Sequence, residues 1–146
     1  MYSKILVPID TSYKSDHWLK APLRAAYEIV NHPDGVIHVM SVIPHNIFEG
    51  YYPDIYIKEI IDETKKKLEA IIEKHLPSDA QVDVSVEEGA ICHEILRVAR
   101  EESVDAIVVA SHGPILKDYI IGSNAAHVAH HAHCSVFIVR DNAEKE

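Results

Sequence analysis

Positive charge is scarce in this chain: 14 Lys and Arg stand against 23 Asp and Glu, a formal net charge of −9 with histidine counted neutral. That balance excludes a general affinity for nucleic acid or for an anionic membrane surface, both of which are recognised through excess cationic side chains. It leaves room for a small cationic pocket, but a bound polyanion would need local help from backbone amides, a lysine or a metal ion. Cysteine is nearly absent. Cys92 and Cys134 form no CxxC pair and no secretory signal precedes them, so free thiols in the cytoplasm are expected. Long apolar runs are missing as well, and Met1–Pro8 is too short for a signal peptide or a membrane span. The chain also has no GxSxG, no HExxH and no Walker A sequence with its Gly-Lys-Ser/Thr. A catalyst of phosphoryl transfer would be expected to show more positive charge and clear metal ligands. No catalytic residue is therefore assigned.

What is present is the balance of a globular protein: 146 residues, 47% hydrophobic and 25% charged, which suits one domain with a sizeable core. Lys4–Ile9 is an apolar run without alternation, the pattern of a strand buried on both faces. Pro8 cannot donate to a ladder, so it belongs near that strand's end, and Asp10 stands where the chain leaves the sheet. Ser15 or Asp16 could cap the helix that follows, whose stripe is Leu23, Ala26, Tyr27 and Val30, with Pro22 best placed in its first turn. Asn31–Gly35 is a stop and turn.

Val36–Ile43 reads as the second strand. A long loop, Pro44–Pro53, then carries Phe48, Tyr51 and Tyr52, aromatics that either cover a ligand or pack on the scaffold. Ile57, Ile60, Ile61, Thr64, Leu68, Ile71 and Ile72 mark a long amphipathic helix, with Lys65, Lys66 and Lys67 on its solvated side. Gln81–Glu87 alternates, as an outer strand would. Gly89 opens a helix with the stripe Ile91, Ile95, Val98 and Ala99. Asp105–Val109 is the fourth strand, Asn124–His133 the last helix and Ser135–Arg140 the last strand. Asp141–Glu146 reads as a disordered charged tail.

This β-α-β-α-β-α-β-α-β order calls for an α/β fold, a five-stranded parallel sheet with helices on both faces and right-handed crossovers. In such sheets a ligand sits beyond the strands' C-terminal ends. Asp10, the chain after Val42 and the segment Ala110–Ser123 all lie at those ends. The last of these is the richest. It opens Ala110-Ser111-His112-Gly113 after an apolar strand and closes Gly122-Ser123 before a helix. Small residues let the backbone approach an anion, and the first amides of a helix have no partners within it. Nucleotide phosphates are the ligand this arrangement suits, although turns of this kind also collect Gly and Ser for backbone reasons alone.

Taken together, these pieces resemble the universal stress protein family over about Tyr2 to Arg140. The resemblance rests on Lys4-Ile5-Leu6-Val7-Pro8-Ile9-Asp10 with Ser12 after it, and on Val36-Ile37-His38-Val39 leading to Val42. It rests equally on Gly89, on Asp105 through Gly113, and on Gly122-Ser123-Asn124 running to His131 through Arg140. It implies a Rossmann-like fold, usually paired as a dimer, and ATP as ligand, with Mg or Mn as an accompanying ion. It places Pro8, Ile9 and Asp10 at the adenosine part and Val42 along the adenine through its backbone. Val109, Ala110, His112 and Gly113 would lie against ribose and phosphate, with Gly122, Ser123 and Asn124 donating to the phosphates. Nucleotide-binding members carry Gly, two residues, Gly, nine residues, Gly, then Ser or Thr. Here Ala110 takes the place of the first Gly, and eight residues separate Gly113 from Gly122, a shorter spacing with Gly-Ser-Asn that is similar to a subgroup of small bacterial members.

Other residues have two readings. Asp10 is either a loop acid at a sheet edge or a ligand for ribose hydroxyls, adenine or a metal ion. Lys117 either reaches a phosphate or is ordinary surface. His127, His130 and His131 fall at i, i+3 and i+4, a spacing that can bind zinc. However, Ala125, Val128, Ala129 and Ala132 form the better core stripe and turn the histidines outward, so no metal site is assigned. The last strand is apolar on both sides, Val136 and Ile138 against Phe137 and Val139, which suggests a covered edge and a homodimer formed through it. The function implied is a nucleotide-dependent stress-response module. The alternatives are a slow ATPase or self-phosphorylating protein, and a dimeric scaffold of the same fold that binds no nucleotide.

Overall fold

A parallel strand covered on both faces has no polar side to show, and the most apolar runs of the chain occupy the middle of the sheet. The computed structural model describes residues 2–12, 17–44, 54–111 and 121–140. Five strands, β1 (Lys4–Pro8), β2 (Val36–Pro44), β3 (Gln81–Gly89), β4 (Ala106–Ala110) and β5 (Ser135–Val139), pair in the order β3-β2-β1-β4-β5. Every pairing is parallel. Helices α1 (Lys20–Ile29), α2 (Asp54–His75), α3 (Ile91–Glu101) and α4 (Ser123–His131) make the crossovers, with a short 3-10 turn at His17–Leu19 ahead of α1. Pro22 falls in the first turn of α1, where its missing N–H removes no helical bond. No described helix is long and apolar enough to cross a membrane.

Alternation along β1 divides the core in two. Ile5 and Val7 face α1 and α2 beside Val39, Leu23 and Leu68, while Leu6 faces α3 and α4 beside Met40, Ile107, Val98 and Val128. Ile5, Leu6 and Val7 are all fully buried, as a strand with layers on both sides must be. β3 lies at one edge of the sheet, its Val82, Val84 and Val86 packed toward α2. At the other edge β5 sends Phe137 and Val139 to one core and Val136 and Ile138 to the other, all four only partly buried.

The N-terminal end of the sheet is fastened by side chains. Asp105 Oδ2 accepts from the backbone N–H of Ser3 at 2.7 Å and of Lys4 at 3.0 Å. Lys4 pairs with Glu102. Asp105 therefore precedes β4 rather than opening it, because its carboxylate is spent on the start of β1.

Several boundaries differ from the sequence reading. β2 runs on to Pro44, since β3 keeps pairing with it as far as Gly89. Gly89 ends β3 and does not open α3, which starts at Ile91 after Ala90. Its φ of +145° is a conformation few side chains adopt, and a Cβ there would lie 2.9 Å from Glu94 Oε1. The last helix is Ser123–His131 and the last strand stops at Val139, so Arg140 lies beyond the ladder. Ala125 and Val128 are buried, but Ala129, expected in the same stripe, is exposed. Ala132, the next member of the stripe, still packs against the core, so Ala129 lies at the edge of the buried face. The expected cap at Ser15 or Asp16, the aromatics Phe48, Tyr51 and Tyr52, Lys117 and the tail Asp141–Glu146 lie outside the described residues.

Candidate functional site

The strand order reverses between β1 and β4: from β1 the chain winds outward to β2 and β3 on one side, and β4 and β5 lie on the other. Loops leaving the C-terminal ends of β1 and β4 must part there, and the crevice between them is where doubly wound sheets hold ligands. A cavity of about 620 Å³ occupies this crevice. Of the eleven residues singled out from the sequence, nine line it: Pro8 at the end of β1 with Ile9 and Asp10 after it, Val42 on β2, Val109 and Ala110 on β4, and Gly122, Ser123 and Asn124 at the start of α4. His112 and Gly113 lie outside the described residues.

Each wall has its own chemistry. The Asp10 carboxylate is held by its own loop: Oδ1 accepts from the N–H of Ser12 at 2.8 Å and from its hydroxyl at 2.6 Å. Among the described residues no donor reaches Oδ2, which is left as an acceptor on the rim. Ile9 N–H donates to the Met40 carbonyl at 2.8 Å, carrying the sheet's hydrogen bonding one residue past β1 and fixing where Asp10 departs. Opposite, Gly122 is the N-cap of α4 and no side chain caps that helix. Its first amides thus retain donor capacity and the positive end of the helix dipole. Backbone hydrogen bonds tie their position to the sheet: Gly122 N–H donates to the Ser111 carbonyl at 2.6 Å, while Ser111 N–H donates to the Val139 carbonyl at 2.9 Å. Ser111 is buried and binds α4 to the edge strand.

The floor and the far wall were not anticipated. Ser41, Ile43, Ile60, Thr64 and Trp18 line the side toward α1 and α2, and Ile91, Ile95 and Val128 the side toward α3 and α4. Lys67, read as solvated surface, is exposed but also borders the cavity, where it is the one Lys or Arg among the described lining residues. The stripe of α2 runs through Ile60, Thr64 and Leu68, and Lys67 lies next to it. The period was readable, but not which end of the stripe overhangs the sheet's rim.

A second, shallower cavity of about 670 Å³ adjoins the first and shares Pro44, Ile91, Ser123 and Asn124 with it. Its remaining described lining comes from Gly89, Ala90, Cys92, His93 and His127. Helix α3 also starts without a side-chain cap, at Ala90, so two helix N-termini stand beside this space. The first turns of α3 and α4 are joined by the Cys92 thiol, which donates to Asn124 Oδ1 at 3.2 Å. Burial raises the thiol's pKa above the ordinary value, so it remains a protonated donor.

The histidines of α4 are exposed, as the core stripe implied. Their rings touch: His131 lies 4.4 Å from His127 and 4.7 Å from His130, centroid to centroid. Burial, with the charges of those two neighbours, lowers the His131 pKa. Among the described residues no group of three or more His, Cys, Asp or Glu has a geometry that could hold a metal ion.

Comparison with known proteins agrees with this architecture. The model of the universal stress protein family matches residues 1–140. Universal stress protein YxiE of Bacillus subtilis is 35% identical over 149 residues, covering 96% of this chain and all of the relative. Among solved structures, the universal stress protein of Archaeoglobus fulgidus in complex with dAMP has a TM-score of 0.65 at 25% identity, over 94% of this chain and 98% of its own. An Arabidopsis thaliana family protein with AMP bound has a TM-score of 0.66 at 19% identity, over 98% and 94% respectively, and speaks for the fold alone. With a family match reaching from the first residue to the end of the last strand, and a full-length relative one-third identical, this chain belongs to the universal stress protein family.

Proposed function

We propose that this protein binds an adenine nucleotide in the crevice between β1 and β4, with ATP the form its rim is built to hold. The observation that carries this reading is the convergence of nine residues, picked from four separate stretches of sequence, on one cavity at the point of strand reversal. In this reading Asp10 accepts from ribose hydroxyls through Oδ2. The backbone of Val42 runs along the adenine. Gly122, Ser123 and Asn124 donate to phosphates, and His112 and Gly113 complete the phosphate side. Amide donors suit so acidic a protein, because they concentrate positive potential at one helix end without adding basic residues. The dAMP complex of the Archaeoglobus fulgidus relative supports the ligand class. An accompanying Mg or Mn ion would be held chiefly by the phosphates, with Asp10 the one acid among the described lining residues. In this reading ATP acts as a ligand rather than as a substrate.

We propose as well that β5 pairs with β5 of a second copy. Among the described residues its outer edge has no partner strand, and its side chains are apolar on both faces, the circumstance in which an edge strand seeks another chain.

The test is direct. Freshly purified protein is denatured and the released nucleotide identified, and nucleotide-free protein is titrated calorimetrically with ATP, ADP and AMP. Binding with one site per chain is expected. Absence of heat and of competition against a fluorescent adenine nucleotide at millimolar ATP rejects the reading and favours a nucleotide-free scaffold. Sedimentation at micromolar concentration checks the dimer.

A further inference from the structure

Asn124 can serve a phosphate only through its NH2, because its side-chain oxygen would repel one. Which end of the amide faces the ligand is therefore a matter of function, and it is decided by whatever holds the other end. Among the described residues, the side chain that donates to Asn124 Oδ1 is Cys92, whose Sγ lies 3.2 Å away. The backbone carbonyl of Asn124 is farther from the same thiol, at 3.9 Å, and it is also a helical acceptor for the following turn. Cys92 and Asn124 are the second residues of α3 and α4, so the contact joins the two helices at their starts. Asn124 borders both cavities, while Cys92 borders only the shallower one. Cys92 thus stands behind Asn124 as seen from the proposed nucleotide, within reach of the amide but not of the ligand.

From this we infer that Cys92 is a positioning residue: its S–H holds the Asn124 oxygen, and the amide's NH2 is thereby presented to the phosphates. The inference rests on the proposed nucleotide site and adds to it the atom that orients one of its donors. Burial keeps the thiol protonated, which the donor role requires. An S–H is a weak donor. Its effect is to select one of two amide orientations, and it makes no contact with the ligand itself.

Two consequences set this role apart from simple packing. First, the contribution is confined to ligands with phosphates: adenosine never meets Asn124's NH2 and is indifferent to residue 92. Second, a hydroxyl can replace the thiol, whereas a methyl cannot.

The experiment compares the ratio of ATP to adenosine affinity in wild type, Cys92→Ser and Cys92→Ala, by competition against a fluorescent adenosine analogue, with thermal melting of each protein as a check on the fold. The expected result is a ratio near wild type for Cys92→Ser and roughly threefold to tenfold lower for Cys92→Ala, the effect of weakening one hydrogen bond to a charged group. Adenosine affinity should be the same in all three. Asn124→Asp, which keeps the shape but removes the NH2, should lower the ratio further. An unchanged ratio in Cys92→Ala, or an equal fall in Cys92→Ser and Cys92→Ala, overturns the positioning role while leaving the nucleotide site standing. If wild-type protein binds neither ATP nor adenosine, the proposed function falls and this inference falls with it.

Discussion

The two ends of the sheet are built on opposite principles. At the N-terminal end polar groups are used up on one another: Asp105 takes the amides of Ser3 and Lys4, Asp105 N–H donates to the Lys4 carbonyl, and Val36 N–H donates to that of Ser3. At the C-terminal end the same kinds of group are left available. Asp10 keeps one oxygen without a described donor, and α4 begins without a cap. One end spends its hydrogen bonds on stability, while the other keeps an acceptor and the first amides of a helix open. Parallel sheets separate the two roles because every strand enters at the same end, so every connecting loop that follows a strand collects at the other.

The most severe way to break this contrast is to damage the scaffold beneath both ends. Leu23 is fully buried on the inner face of α1, and Leu23→Ala should lower stability by about 2 to 5 kcal/mol, seen as a large fall in the urea midpoint, while the folded fraction binds ATP normally. Asp105→Ala acts at the N-terminal end alone. Loss of its two amide contacts should cost about 1 to 3 kcal/mol in the same measurement and leave ATP affinity within about twofold.

Changes at the C-terminal end should do the reverse. Gly113→Val is expected to weaken ATP binding more than about tenfold, equivalent to roughly 1.4 kcal/mol, by blocking the backbone's approach to the ligand. Ser123→Ala should weaken it severalfold by removing one donor. Neither should move the melting temperature appreciably. A stability loss in the rim variants, or an affinity loss in Asp105→Ala, would dissolve the division of labour.

The smallest effect concerns acid. His38 is buried between β1 and β3; its Nε2 shares a 2.7 Å hydrogen bond with the Ser85 hydroxyl, and its Nδ1 has no partner among the described residues. Burial lowers its pKa below 6.5, with Lys4 acting in the same direction and Glu102, Asp83 and Glu87 opposing. The folded protein therefore holds a neutral His38 where the unfolded chain would protonate. The stability this contributes is present above about pH 6.5 and is lost as pH falls through 6.5 toward the lower folded value. Denaturation between pH 7.5 and 5.5 should show that slope in wild type and a shallower one in His38→Gln.

Much of this could be read before any coordinates existed, for identifiable reasons. The central strands β1 and β4 declare themselves because burial on both faces leaves no alternation. The reversal of strand order follows from the β-α repeat and brings Asp10 and Gly122 to one rim. Val42, by contrast, came from family likeness; nothing in its apolar character distinguishes it from Val39. Gly89 was misplaced because a glycine that ends a strand at positive φ and one that precedes a helix look alike in sequence. Ala129 was misplaced because alanines flanking a stripe carry little information about how wide the buried face of a short helix is. Lys67 and Ser41 were missed since their role depends on how a 22-residue helix lies against the rim, a tertiary fact with no local signature.

The bond from Gly122 N–H to the Ser111 carbonyl has one more implication. Ser111 follows β4 directly and Gly122 directly precedes α4, so this one bond holds the end of the strand and the start of the helix together. The start of α4 is placed by Ser111 and, through it, by β5, and not by the length of the excursion between. A residue gained or lost between Ser111 and Gly122 should therefore leave the start of α4 where it is.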